Sequence, residues 1–209
     1  MRVGIGYDVH PLVDGRRLVL GGVVIEHRAG LDGHSDADVL THAVIDALLG
    51  AAGMGDIGQH FPASDPKFKD ASSLDMLASA VEAVRAAGFR VVNVDCTVIA
   101  QAPRLQPHLA AMTAQLARRL GTENVNIKGK SPEGIGALGQ EAGIAAQAVA
   151  MLEEEMQNRE APSGRAASRP GHLPRPAGKG SPPSRQAGKG SPLPRPAGKG
   201  SRPSRRAGM

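Results

Sequence analysis

The chain has 209 residues and a formal net charge of +5, with one cysteine, one tyrosine, three phenylalanines and no tryptophan. A single cysteine excludes an intrachain disulfide, and the lack of an apolar run of about 18 residues or of a charged-then-apolar leader argues against a membrane or secreted protein, so we expect a cytoplasmic one. The charge divides unevenly, because residues 1–156 carry 13 basic and 19 acidic side chains whereas residues 157–209 carry 12 and 1.

The first predicted element is a strand over residues 2–10, followed by a turn around Asp14 and Gly15 and a second strand over residues 17–26. β-Branched runs on both sides of such a turn predict a hairpin. Within the first strand, the stretch GYDVHPL places Asp8 and His10 two residues apart. Both side chains therefore project from the same face of the strand, near its end.

A helix is predicted over residues 36–52, where apolar side chains recur at helical spacing. We expect Ser35 to be its N-cap, with Asp38 three residues on as an acidic stand-in for the glutamate of a capping box. Asp38, His42 and Asp46 are four residues apart and form one polar stripe along an otherwise apolar helix.

This polar stripe supplies a candidate partner for the acid and imidazole of the first strand. If the stripe faces the end of the strand, His42 comes close to Asp8 and His10. One carboxylate and two imidazoles leave a fourth tetrahedral position open, which is the donor set of a catalytic zinc site. The alternative is a hydrogen-bonded core histidine or a surface ion pair.

The rest of the folded part alternates between helices and strands. A loop rich in glycine, aspartate and proline fills residues 53–71. After it we predict a helix over 73–88, a strand over 89–101, a helix over 105–120, a strand over 124–130 and a closing segment over 143–152. The order predicts an α+β fold, an α/β sandwich in which a mixed sheet has helices packed on one face. The alanine-rich closing segment is locally typical of a helix.

Three loops have features of phosphate-binding sites. GHSDAD places His34 and Ser35 at a helix N-terminus, where free N–H groups and the helix dipole favour an anion. GDIGQHFPASD combines glycines, which allow close backbone approach, with the carboxylates of Asp56 and Asp65. The third loop, KGKSPEGIGALG, is basic and glycine-rich and contains Lys130, Ser131 and Glu133. None of the three loops fits the Walker or dinucleotide pattern, and ordinary surface turns are the alternative.

The tail beyond residue 157 consists largely of a ten-residue repeat: GHLPRPAGKG, SPPSRQAGKG, SPLPRPAGKG and SRPSRRAGM. Its proline, glycine, serine and arginine cannot bury enough apolar surface to offset chain entropy, so we predict that residues 157–209 are disordered. The tail is then either a solvated extension or a tether to nucleic acid or another anionic surface. The lack of aromatic residues argues against base stacking.

Four segments, taken together, resemble the 2-C-methyl-D-erythritol 2,4-cyclodiphosphate synthase family of the non-mevalonate isoprenoid pathway: MRVGIGYDVHPL, GHSDADVLTHAVIDALLGAAGMGDIGQHFP, NVDCTVIAQAPRLQPH and VNIKGKSPEGIG. The resemblance covers residues 1–152 with almost no gaps. It implies a homotrimer whose sheets face a central axis, with active sites between neighbouring subunits, and a closing segment that is a strand. It also implies conversion of 4-diphosphocytidyl-2-C-methyl-D-erythritol 2-phosphate into the cyclic diphosphate and CMP.

The resemblance implies roles for individual residues. Zinc would be bound by Asp8, His10 and His42, and a second ion, Mg or Mn, by Glu133 together with the substrate diphosphate. His34 and Ser131 would stabilise the transition state. We also expect Asp46 to be the hydrogen-bond partner of a ligand histidine, the alternative being an exposed stripe residue. Substrate contacts are implied for Asp8, His10, His34, Ser35, Asp56, Ile57, Gly58, Phe61, Ser64, Asp65, Ala100, Pro103, Arg104, Leu105, Gln106, Lys130, Ser131, Pro132, Glu133, Ala137 and Gln140.

Four positions depart from the usual pattern of the family. Ala63 stands in place of a common aspartate that holds a hydroxyl, and Arg104 in place of a common lysine. Ala137 and Gln140 stand in place of a phenylalanine and an arginine near the trimer axis. Two other functions fit the same residues: a zinc phosphohydrolase that activates water, and a metal-stabilised binding module tethered to nucleic acid by the basic tail.

Overall fold

The computed structural model describes residues 1–155, so the tail prediction for residues 157–209 lies outside the described residues. Two short 3-10 turns, Pro66–Phe68 and Gln106–His108, accompany the regular elements. The regular elements are β1 Arg2–Asp14, β2 Leu18–Leu20, β3 Val23–Ile25, β4 Ala29–Leu31, α1 Val39–Ala52, α2 Ile57–His60, α3 Ser73–Ala86, β5 Phe89–Ile99, α4 Leu109–Leu120, β6 Val125–Lys130, α5 Gly136–Gly139 and β7 Gly143–Glu154. No helix among the described residues is both long and apolar enough to span a bilayer.

The main sheet has five strands in the order β4-β1-β7-β5-β6. β7 pairs antiparallel with both β1 and β5, whereas β5 and β6 are parallel. Helix α1 packs on β1 and β7, α3 packs on α1 and β5, and α4 packs on α3 and β6. The predicted α+β class, a mixed sheet with packed helices, is therefore confirmed.

Close packing of β1 against α1 depends on two glycines. A Cβ added to Gly4 would lie 2.1 Å from the carbonyl oxygen of Ala47, and one added to Gly6 would lie 2.0 Å from that of Ala43. Both distances are far shorter than van der Waals contact, so the strand backbone lies directly on the helix. This contact brings the later residues of β1 within reach of side chains on α1.

The predicted hairpin between the first two strands is wrong. β1 pairs with β4 and β7, and residues 17–26 divide into β2 and β3, which form a separate two-stranded sheet. The division occurs at Gly21 and Gly22, whose φ angles of +54° and +72° suit a tight turn. A turn inside the run of apolar residues made the two short strands look like one.

Helix α1 begins three residues later than predicted, because Asp38 rather than Ser35 is its N-cap. The buried carboxylate of Asp38 accepts hydrogen bonds from Thr41 N at 3.1 Å, Gly21 N at 2.9 Å and Gly22 N at 2.7 Å. Burial raises the pKa of Asp38, and these hydrogen bonds oppose that rise. Asp38 therefore ties the turn between β2 and β3 to the start of the helix.

The closing segment is the central strand β7, as the resemblance implied, although its local composition is typical of a helix. It pairs with β1 on one side and β5 on the other, and most of its residues are buried. Alanine fits there because α1 packs closely over β7. Tertiary packing thus overrides local propensity.

Candidate functional site

Asp8, His10 and His42 converge where the end of β1 meets α1. Asp8 Oδ2 lies 2.9 Å from His42 Nδ1 and 3.0 Å from His10 Nε2. The two ring nitrogens are 3.4 Å apart. Each residue offers one ligand atom to a common centre, as the sequence predicted for a metal site.

The spacing of these three atoms fits a small tetrahedral cation. With metal–ligand bonds of about 2.0–2.1 Å, two ligand atoms of a tetrahedral zinc site are separated by about 3.3 Å. The observed separations of 2.9, 3.0 and 3.4 Å are close to that value. One carboxylate and two imidazoles also suit zinc, so the residues present fit the ion that the resemblance implies.

Hydrogen bonds on the far side of each histidine orient the two rings. His10 Nδ1 lies 2.6 Å from the carbonyl oxygen of Asp32. His42 Nε2 lies 2.9 Å from Ser73 Oγ and 3.2 Å from Ser35 Oγ. A neutral imidazole that donates a hydrogen bond from the nitrogen facing away from the cluster keeps a lone pair on the nitrogen facing the cluster. This is the protonation state that a metal ligand requires.

The charges of the cluster favour an ionised carboxylate beside the imidazoles. Partial burial opposes ionisation of Asp8, yet hydrogen bonds and charge from His10 and His42 hold its pKa well below the usual range. The hydrogen bond with Asp8 in turn raises the pKa of His10, although partial burial opposes this.

The expected role of Asp46 requires a correction. Its Oδ1 accepts a hydrogen bond from Ile57 N at 2.7 Å, rather than one from a ligand histidine. Burial raises the pKa of Asp46, and the Ile57 hydrogen bond opposes that rise. Asp46 therefore fixes the start of α2, and Ser73 is the partner of His42 that sequence reasoning missed.

The segment after β4 places the predicted phosphate contacts beside the metal centre. Ser35 is buried against His42, whereas the Nε2 atom of His34 is buried and has no hydrogen-bond partner among the described residues. The guanidinium of Arg16 braces this loop by donating to Asp32 Oδ1 at 3.2 Å, Gly33 O at 3.0 Å and Ser35 O at 2.9 Å. No sequence motif indicated this role of Arg16.

The predicted hydroxyl-binding loop carries two carboxylates that also cap short helices. Asp56 Oδ1 accepts from Gln59 N at 3.0 Å, and Asp65 Oδ1 accepts from Lys67 N at 3.1 Å. The hydrogen bonds from Gln59 lower the pKa of Asp56, and the backbone hydrogen bond from Lys67 lowers that of Asp65. Ile57, Gly58, Phe61 and Ser64 lie in the same stretch of chain, which adjoins the metal centre through Asp46.

A second part of the predicted site is a pocket of about 190 Å³ where β5 and β6 end. Glu133 and Pro132 follow it in the next loop, in which Glu133 has a φ of 54° and donates its backbone N–H to Ser131 Oγ at 3.0 Å. Seven predicted contact residues line the pocket, namely Ala100, Pro103, Arg104, Leu105, Gln106, Lys130 and Ser131, together with Gln101, Leu109 and Gly129.

The two parts lie at the same end of the sheet but on different strands. Val9 of β1 and Ile99 of β5 both pair with Ala145 of β7, and Ile99 also pairs with Lys130 of β6. Three strand spacings therefore separate β1 from β6, a distance of about 14 Å.

Ala137 lies close to His10 and lines a 260 Å³ cavity with it, whereas Gln140 is exposed on the surface.

Comparison with known proteins relates this arrangement to a family. Residues 1–153 match the YgbB family. The 2-C-methyl-D-erythritol 2,4-cyclodiphosphate synthase of Bordetella petrii is 60% identical over 153 residues, which are 72% of this chain and 94% of that protein. That of Laribacter hongkongensis is 57% identical over 159 residues, 75% of this chain and 98% of the relative.

A solved structure adds a likeness in three dimensions. A 2C-methyl-D-erythritol-2,4-cyclodiphosphate synthase described as a CDP-bound form has a TM-score of 0.68 and 35% identity, covering 73% of this chain and all of that one. The bifunctional IspDF of Campylobacter jejuni has a TM-score of 0.71 and 41% identity over 73% of this chain, which spans only 42% of that protein.

Proposed function

The chain belongs to the YgbB family, and from this we propose that it converts 4-diphosphocytidyl-2-C-methyl-D-erythritol 2-phosphate into 2-C-methyl-D-erythritol 2,4-cyclodiphosphate with release of CMP. The observation that carries the proposal is the Asp8–His10–His42 cluster, which lies at the same end of the sheet as the 190 Å³ pocket. A CDP-bound relative with the same fold supports assigning that pocket to the cytidine diphosphate part of the substrate.

Asp8, His10 and His42 would hold zinc, and Glu133 would take part in holding Mg or Mn with the substrate diphosphate. When bound, such cations supply positive charge that neutralises phosphate oxygens. Glu133 is exposed in a loop beside the pocket, where it is accessible to a cation brought by the substrate. The other groups in the site are available to orient the two phosphates.

The reaction joins two groups of the same substrate. An oxygen of the 2-phosphate forms a bond to the β-phosphorus, and the bond from that phosphorus to the bridging oxygen of CMP breaks in line with it. CMP leaves with the bonding electrons. Because the substrate's own 2-phosphate is the nucleophile, the chain needs neither a covalent nucleophile nor a strong base. The barrier is then mainly positional and electrostatic.

Residues of this chain lower that barrier by charge and hydrogen bonding. Lys130 and Arg104 place positive charge at the pocket, next to the leaving nucleotide. His34 would also contact a phosphate oxygen, as the resemblance implies, although its Nε2, unpaired among the described residues, is buried in this structure. The hydroxyl of Ser131 accepts from Glu133 N, and its own hydrogen remains available for the β-phosphate.

We further propose that the enzyme is a homotrimer. The outward face of β1 exposes an apolar row, Val3, Ile5, Tyr7 and Val9, with 47–67% of each side chain accessible, and Val149 of β7 extends it. Such a row on a sheet face is costly unless another copy covers it. Association across this face supports an active site formed by the metal centre of one subunit and the nucleotide pocket of its neighbour.

The remaining assignments follow from the same family. We place the activity in residues 1–156, which hold every residue assigned to the site, and the protein in the cytoplasm. The alternative of a zinc phosphohydrolase uses the same three ligands but does not explain a nucleotide pocket at the same end of the sheet.

Loss of one ligand tests the metal centre and the activity together. Purified protein should hold about one zinc per chain, and His42→Ala should lose both the zinc and CMP release while its circular dichroism stays unchanged. His27→Ala is the matched control, because among residues 1–155 the Nδ1 atom of His27 contacts only the nearby Ala29 backbone. Full zinc content in His42→Ala would contradict the assignment.

A further inference from the structure

A polar chain behind His42 involves two residues with no role in the proposed reaction. Ser73 is the first residue of α3 and is fully buried. Its hydroxyl oxygen lies 2.9 Å from His42 Nε2 and also contacts Asp36 Oδ1. An imidazole, a hydroxyl and a carboxylate are thus linked in series, leading away from the metal centre.

The chemistry of these groups fixes the direction of the hydrogen bonds. A carboxylate only accepts, so Asp36 Oδ1 accepts the hydroxyl hydrogen of Ser73. The Ser73 oxygen then accepts the hydrogen on His42 Nε2. An imidazole with its hydrogen on Nε2 presents a free lone pair on Nδ1, the atom that lies 2.9 Å from Asp8 Oδ2.

Asp36 is in turn held by the starts of two helices. Its Oδ2 accepts from Ser73 N at 3.0 Å, and its Oδ1 accepts from Asp38 N at 3.3 Å. Ser73 begins α3 and Asp38 caps α1. The carboxylate is therefore fixed by backbone from both helices, and it fixes Ser73 behind the ring.

Ser35 offers His42 a second and poorer partner. Its Oγ lies 3.2 Å from Nε2 and already accepts a hydrogen bond from Ala37 N at 3.2 Å. Among the described residues, only the path through Ser73 places a carboxylate behind the hydroxyl. Removing Ser73 would therefore leave the ring with a weaker acceptor and a less defined orientation.

We propose that Ser73 and Asp36 are positioning residues that fix the tautomer and orientation of His42 for metal binding. The inference rests on the metal site of the proposed function, but not on the reaction assigned to it. Partners of this kind behind a ligand histidine change metal affinity by roughly 10- to 100-fold when removed.

The test compares Ser73→Ala with Ser72→Ala in the full chain. Ser72 is the adjacent, exposed serine and its side chain makes no capping hydrogen bond, so it is a matched control. Zinc affinity is measured by competition with a chromophoric chelator, and the hydrogen bond made by His42 Nε2–H by nitrogen-15 NMR of zinc-loaded protein labelled at histidine. Ser73→Ala should bind zinc roughly 10- to 100-fold more weakly and show a shifted His42 Nε2–H resonance, whereas Ser72→Ala should match the wild type.

A second variant keeps the test decisive if Ser73→Ala fails to fold. Asp36→Asn preserves the size of the side chain but removes its charge, so it should fold and show a smaller loss of zinc affinity. Unchanged zinc affinity and an unchanged His42 Nε2–H resonance in the folded variants would overturn the positioning role alone. Lack of zinc binding by the wild type would instead contradict the metal site itself, and this inference with it.

Discussion

At the scale of single residues, the metal centre depends on what lies behind each ligand. Asp8 Oδ1 accepts from Val9 N at 2.8 Å, and His10 Nδ1 lies 2.6 Å from the carbonyl oxygen of Asp32. In each residue the atom facing away from the cluster is already occupied. The atoms facing the cluster are therefore held ready for a cation, with little rearrangement needed on binding.

Ser131 is the residue whose proposed role separates rate from binding. A hydroxyl that meets the β-phosphate only as charge moves towards CMP contributes little to the bound ground state. Ser131→Ala should lower turnover by roughly 10- to 1000-fold, the range for loss of one transition-state donor, and leave CDP affinity nearly unchanged.

Steady-state kinetics and CDP titration measure the two effects of this change separately. Ser131→Thr keeps a hydroxyl and should retain most of the activity. Parallel loss of CDP binding and rate in the alanine variant would make Ser131 a simple nucleotide contact, and normal turnover would make it a turn residue.

At the scale of elements, the contact between β1 and α1 sets the distance between the ligands on the two elements. The strand approaches the helix this closely because Gly4 and Gly6 have no side chains. Any side chain there would push the strand away from α1 and separate Asp8 from His42. The absence of side chains at these two positions thus allows the ligands on β1 and α1 to meet.

Gly6→Ala should destabilise the protein by about 3 kcal/mol or prevent folding, because the added methyl would overlap backbone of α1. Gly50→Ala in α1 is the control: a Cβ there would lie 3.9 Å from its nearest neighbour, the carbonyl oxygen of Ile5 in β1, and alanine should stabilise the protein by up to about 1 kcal/mol. Urea unfolding followed by circular dichroism measures both. Equal stability of the two variants would show that the strand can withdraw without cost.

The elements also show what the sequence could and could not predict. Asp8, His10 and His42 were predicted as one cluster because strand and helix periodicity are local properties. Ser73 was missed because its contact with His42 spans 31 residues and depends on how α3 packs. The pairing of β1 with β7 was likewise hidden, since it joins opposite ends of the described chain.

At the scale of the whole molecule, the apolar row on β1 leads to the proposed trimer. Ile5→Glu places a charge in that row and should yield a monomer with little activity, as judged by analytical ultracentrifugation and CMP release. Val24→Glu is the control, because Val24 is similarly exposed on the separate two-stranded sheet, and it should remain a trimer. A trimeric Ile5→Glu variant would place the interface elsewhere.

The assigned reaction is tested most directly by incubating the purified full chain with 4-diphosphocytidyl-2-C-methyl-D-erythritol 2-phosphate and Mg²⁺. The products are separated by chromatography and identified by phosphorus NMR. Intramolecular attack predicts CMP and the cyclic diphosphate in equal amounts, with no inorganic phosphate. Release of inorganic phosphate without CMP would contradict the cyclisation and support a phosphohydrolase instead.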